Sequence, residues 1–108
     1  MDSKNIYISS QTYLKNVAWI KNNSDTEWIY IGNDTLKIDL LIDNFFERES
    51  EFYLITDRHC SKQADKEQIL KNTKDYLENY DFLIWNLRFN KVIEFNDIGV
   101  YRIGTHAT

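Results

Sequence analysis

Apolar and polar residues change period several times along this chain, and each change marks an element. Ser9 or Ser10 can cap a helix of about three turns that runs to about Lys21. Tyr13, Leu14, Val17 and Ile20 then share one face, and Trp19 points away from it. The polar run Asn22-Asn23-Ser24-Asp25 closes this helix, and Trp28-Ile29-Tyr30-Ile31 reads as a short strand ended by Gly32-Asn33-Asp34. Thr35 to Glu49 fits two periods. As a helix capped by Asp34, it stacks Ile38, Leu41, Ile42 and Phe45 on one face and sets Asp39, Asp43 and Glu47 at i, i+4 and i+8 on the opposite one. As a strand, Leu36, Ile38, Leu40 and Ile42 alternate with Lys37, Asp39 and Asp43, with Leu41 breaking the alternation. Its length and the Asn44-Phe45-Phe46-Glu47 ending favour the helix.

Phe52 to Thr56 reads as a compact strand, Asp57 to Ser61 as a polar loop, and about Lys62 to Asn79 as a helix with Ile69, Leu70, Thr73, Tyr76, Leu77 and Tyr80 at helical spacing. This strand-helix-strand order implies that Phe52–Thr56 and Phe82–Leu87 lie parallel, joined by a right-handed crossover. Asp97-Ile98-Gly99 suits a three-residue hairpin loop with Gly99 in the left-handed position. Counting outward sets Glu94 opposite Arg102, Phe95 opposite Tyr101 and Ile93 opposite Ile103. If Arg88-Phe89-Asn90 closes the preceding hairpin with Asn90 left-handed, Trp85 falls beside Ile93 and Leu83 beside Phe95. Those rows form one apolar face, and Ile84, Asn86, Val92, Glu94 and Arg102 form a half-polar reverse face. The expected fold is α+β: residues 1–108 as one domain, a mixed sheet of four or five strands ending in an antiparallel meander, and helices packed mainly on one face.

Charge sharpens this outline at one place. From Asp34 to Arg58 seven acids face three bases, which accounts for the whole formal charge of −4, while both flanks balance. A polarised surface suits a binder of basic partners. A pI near 5.1 argues against nucleic acid, whose phosphates need clustered Lys and Arg. Cys60 is the one cysteine and favours a reducing compartment. The opening MDSKNIYISS has no signal-peptide run, and no stretch approaches a membrane span, so a cytoplasmic location without membrane contact is expected.

Candidate chemistry is sparse. Asp57-Arg58-His59-Cys60 follows a strand end, where α/β sites often lie, yet adjacent residues in an extended segment point opposite ways and suit a nucleophile–base pair poorly. His106 falls in a C-terminal tail expected to fray. One Cys and two His lack zinc-site spacing, and Gly32, Gly99 and Gly104 form no phosphate loop, so no metal, cofactor or catalytic residue is expected. Glu94 with Arg102 reads as a cross-strand ion pair. The acidic stripe Asp39, Asp43 and Glu47 remains. Like charges four apart disfavour a helix, and Leu36 and Leu40 project among them, the mixture of an interface. Trp19 is a second candidate anchor.

The reading is a non-catalytic acidic protein-binding module. Its simplest form is a bacterial immunity or inhibitor protein that neutralises a basic toxin domain such as a nuclease. Replacing Asp39, Asp43 and Glu47 with lysine is expected to abolish capture and spare the fold. Two alternatives stand beside it: a small enzyme or ligand-binding domain that uses the Arg58-His59-Cys60 loop, and a homodimeric structural subunit.

Overall fold

The computed structural model describes residues 2–22 and 25–106. It is α+β: three helices among the described residues pack on a seven-stranded sheet whose pairings are all antiparallel. In chain order the elements are α1 (Ser3–Leu14), β1 (Val17–Trp19), β2 (Ile29–Tyr30), α2 (Thr35–Phe46), β3 (Glu51–Ile55), β4 (Lys62–Asp65), α3 (Lys66–Tyr76), β5 (Phe82–Asn86), β6 (Lys91–Asn96) and β7 (Val100–His106). The sheet order is β1-β7-β6-β5-β3-β4, with β2 also pairing β7. No helix among the described residues is long and apolar enough to cross a membrane.

The C-terminal meander is as expected. Gly99 takes φ 89° in the Asp97-Ile98-Gly99 turn, and Ile93, Glu94 and Phe95 face Ile103, Arg102 and Tyr101. The β5–β6 register differs by one residue: Ile84 faces Ile93, Trp85 faces Val92 and Phe82 faces Phe95. Phe89, not Asn90, takes the left-handed conformation at φ 55°. Burial offsets that strain, because the Phe89 ring stacks on Tyr13 and Tyr53 with centroids 4.9 Å away in each case. Asn86 then fixes the turn, its Oδ1 accepting from the amides of Asn90 at 3.0 Å and Lys91 at 3.1 Å.

A one-residue slip exchanges the faces of a strand. One face therefore carries the row Leu54–Ile84–Ile93–Ile103 and packs, with Phe52, Phe82 and Phe95, against Ile38, Ile42 and Phe46 of α2 and Ile69 of α3. The other carries Tyr53–Trp85–Val92 and lies under α1, where Ile6 is buried and Ser10 accepts a 2.8 Å bond from Trp85 Nε1. The expected half-polar reverse face is thus a second core. This also explains why Phe82-Leu83-Ile84-Trp85 is an unbroken apolar run, since both faces of β5 are buried.

Three further expectations are corrected. First, α1 starts at Ser3 on an Asp2 cap (Asn5 N to Asp2 Oδ1, 2.9 Å) and stops at Leu14, so Val17 and Trp19 belong to a strand. The Asn23 and Ser24 positions of the expected polar loop lie outside the described residues. Second, β3 and β5 are antiparallel. The expected helix from Lys62 is divided at Asp65, where a capping box with Gln68 ends β4 and starts α3. The crossover thus leaves from β4 and passes over β3, which puts β4 and β5 parallel without pairing them. Third, His106 is held in β7 opposite Val17, its ring 5.0 Å from that of Tyr13.

Candidate partner-binding face

The segment with two possible periods, Thr35 to Glu49, is helical. Asp34 caps it through a 3.2 Å bond from Lys37 N, and Glu47 ends it at φ 56°. Ile38, Ile42 and Phe46 are buried beneath it. At 100° per residue, the other positions divide into three strips. Asp39 and Asp43 turn toward α3, Leu36, Leu40 and Glu47 turn outward, and Lys37, Leu41 and Asn44 turn toward β2 and β7.

The acidic strip is not bare. Asp39 meets Lys74 Nζ at 3.0 Å, Asp43 pairs with Lys66, and Glu47 lies 3.9 Å from Lys91 Nζ. Lys91 also donates to the Phe45 carbonyl at 3.0 Å, where a cation suits the negative end of the helix. Sequence spacing showed that no lysine lies between Asp39, Asp43 and Glu47 but not the lysines that α3 and β6 bring across to them. Asp39, Asp43 and Glu47 therefore tie α2 to its neighbours. Converting all three to lysine would set three cations against three others, a cost to stability that the sequence spacing did not show. These pairs remain partly exposed, so a partner's cations can still exchange with the lysines.

Leu36 and Leu40 do project outward as expected, and they stand beside a groove of about 480 Å³. Its walls are Leu40, Leu41 and Phe45 of α2, Ile29 and Tyr30 of β2, and Tyr101 and Ile103 of β7, with Lys37 and Asn44 as the polar rim. Burial holds the Tyr101 phenol above its ordinary pKa, so it is neutral at physiological pH and adds no charge there. Tyr30 was not singled out from the sequence. Its exposed ring lies over two glycines: a Cβ on Gly32 would sit 2.9 Å from Tyr30 Oη, and one on Gly99 would sit 3.4 Å from Tyr30 Cε1. The signal available in the sequence was Gly32, the turn glycine just after the aromatic strand.

Trp19 is not part of this face. It lies in β1 on the α1 side of the sheet, its ring centroid 3.8 Å from the Arg102 guanidinium carbon. Arg102 bonds Glu94 at 2.6 Å, the cross-strand pair expected, and Glu27 at 2.8 Å. Trp19 therefore shares Arg102 with Trp28 and Glu27.

The Arg58-His59-Cys60 loop is a hairpin connection from β3 to β4. Asp57 Oδ1 accepts from the amides of His59 and Cys60, both at 2.8 Å, and those donors hold the Asp57 carboxyl below the usual carboxylate range. His59 and Cys60 are exposed, and the crevice next to the loop is lined by Thr56 and Asp57. Among the described residues no three His, Cys, Asp or Glu side chains gather as metal ligands would. No protein-family model matches the chain, and neither a curated protein nor a solved structure matches it.

Proposed function

We propose that the chain is a non-catalytic protein-binding module whose partner, a basic protein domain, seats on α2 and the groove beside it. The observation that carries this reading is a group of exposed large apolar side chains: Tyr30 and Leu40, which line the groove, are 72% and 52% exposed, and Leu36, one helical turn before Leu40, is 68% exposed. Apolar anchors flanked by charge are the composition of a recognition surface. Burying one leucine is worth roughly 1.5–3 kcal/mol, more than the ~1 kcal/mol ceiling of an exposed ion pair. In this reading the leucines hold the partner and the charge attracts it. The net charge of −4 already includes every internal pair, so a pull on a positive domain persists over the ~10 Å that 0.1 M salt allows. The most specific form of the reading is a bacterial immunity or inhibitor protein that neutralises a basic toxin domain such as a nuclease. Small size and acidity suit that role by analogy.

Binding kinetics with the purified product of the neighbouring gene test the proposal. Leu36→Asp combined with Leu40→Asp is expected to weaken affinity by about 100-fold or more, mainly through faster dissociation. Added salt is expected to slow association and leave dissociation nearly unchanged. Wild-type affinity in the double variant rejects the groove. Self-association that disappears in that variant reassigns the face to a second copy of the chain.

A further inference from the structure

A second concave site lies where β3 ends and β5 begins, at the C-terminal end of α3. It is a crevice of about 270 Å³ lined by Thr56, Asp57, Tyr76, Tyr80 and Asp81. It shares no lining residue with the groove on α2 and does not depend on that reading. Its charged lining is of one sign. In the crevice beside the end of α2, by contrast, Glu47 and Glu49 share the wall with Arg48, Arg88 and Lys91. Neither Asp57 nor Asp81 forms an ion pair among the described residues. Both carboxylates are nevertheless fixed in place. Asp57 Oδ1 is held by the His59 and Cys60 amides, and Asp81 Oδ1 accepts from Asp97 N at 2.8 Å.

The remaining wall is aromatic. The Tyr76 ring is braced edge-on by Phe82 with centroids 5.6 Å apart, and it meets the Tyr80 ring at 80° with centroids 5.5 Å apart. Ring faces attract cations through their quadrupole, and fixed carboxylates supply countercharge and hydrogen-bond acceptors. The volume lies just below the roughly 300 Å³ at which drug-sized pockets begin, a size that suits one cationic head group. We propose that this crevice binds a single alkylguanidinium or alkylammonium group, either as a free small amine or as the side chain of an arginine or lysine in a polypeptide.

Titration with ethylguanidinium chloride, followed by NMR shifts of the residue 57–61 and 81 amides and the Tyr76 and Tyr80 rings, tests the site. Saturable shifts with a midpoint of about 1–10 mM are expected, with none from the neutral isostere ethylurea. Asp57→Asn combined with Asp81→Asn keeps the oxygen that accepts each backbone amide and removes both charges, so the fold is retained and affinity is expected to drop tenfold or more. A capped Gly-Arg-Gly peptide separates the sources. Binding as tight as the free cation's assigns the site to a side chain, and exclusion of the peptide assigns it to a free amine. Shifts that stay linear to about 50 mM, or that persist unchanged in the double variant, overturn the proposal.

Discussion

Arg102 stands at the gap in the sheet edge, between the stretch of β7 that pairs with β2 and the stretch that pairs with β1. Its guanidinium carbon lies 3.8 Å from the Trp19 ring and 4.7 Å from that of Trp28, while its nitrogens bond Glu94 and Glu27. One planar cation therefore joins Glu27 and Trp28 to Trp19 of β1 and Glu94 of β6. A lysine keeps the charge and loses both the stack and the fork of donors. Arg102→Lys is expected to cost about 1 kcal/mol and Arg102→Leu about 2–3 kcal/mol, the latter because Glu27 and Glu94 are left half-buried without a counterion. Urea denaturation measures both, and losses under ~0.5 kcal/mol would show that the loop is held by other contacts. The Glu94–Arg102 pair was legible in the sequence because a three-residue turn fixes its register. The two tryptophans were not, because their stacking on Arg102 requires the 20–28 loop to fold back, and no period encodes that.

At the scale of elements, the lysines of α3 and the acids of α2 form a seam between two helices on the same sheet face. Asp39 and Asp43 belong to that seam, and Glu47 reaches instead to Lys91 of β6. Asp39→Lys, Asp43→Lys and Glu47→Lys together are expected to destabilise the protein by roughly 1–3 kcal/mol. Adding Lys66→Glu, Lys74→Glu and Lys91→Glu is expected to recover most of the loss. Thermal melts of the two multiple variants read this directly, and an unchanged melt in the triple lysine variant would show that the pairs contribute nothing. The spacing of 35–46 fitted a helix and a strand alike, and the length of the segment and its Asn44-Phe45-Phe46-Glu47 ending favoured the helix that forms. The division of 62–79 into β4 and α3 was missed even though Asp65 and Gln68 carry a capping signature, because no Gly, Pro or Asn marks a break between Lys62 and α3. The one-residue offset between β5 and β6 had a different cause. Asn is the usual left-handed residue, and only the aromatic packing around Phe89 moves that conformation one place.

At the scale of the whole molecule, one sheet separates two cores, and the two concave surfaces proposed as binding sites lie in different places. The groove beside α2 is apolar with exposed leucines, and the crevice at the β3–β5 end is aromatic and anionic. Net acidity was plain from composition. Its distribution was not, since ion pairs join residues far apart in the chain, as Asp39 joins Lys74. The central claim is that a partner covers α2 and its groove. A photo-crosslinking phenylalanine in place of Leu40, and in a matched sample in place of Gln63 on the β4 edge, tests it in host cells. The account predicts one crosslinked product from position 40, containing a basic protein, and none from position 63. Capture from position 63 alone, or a product from position 40 containing only a second copy of the chain, would contradict it.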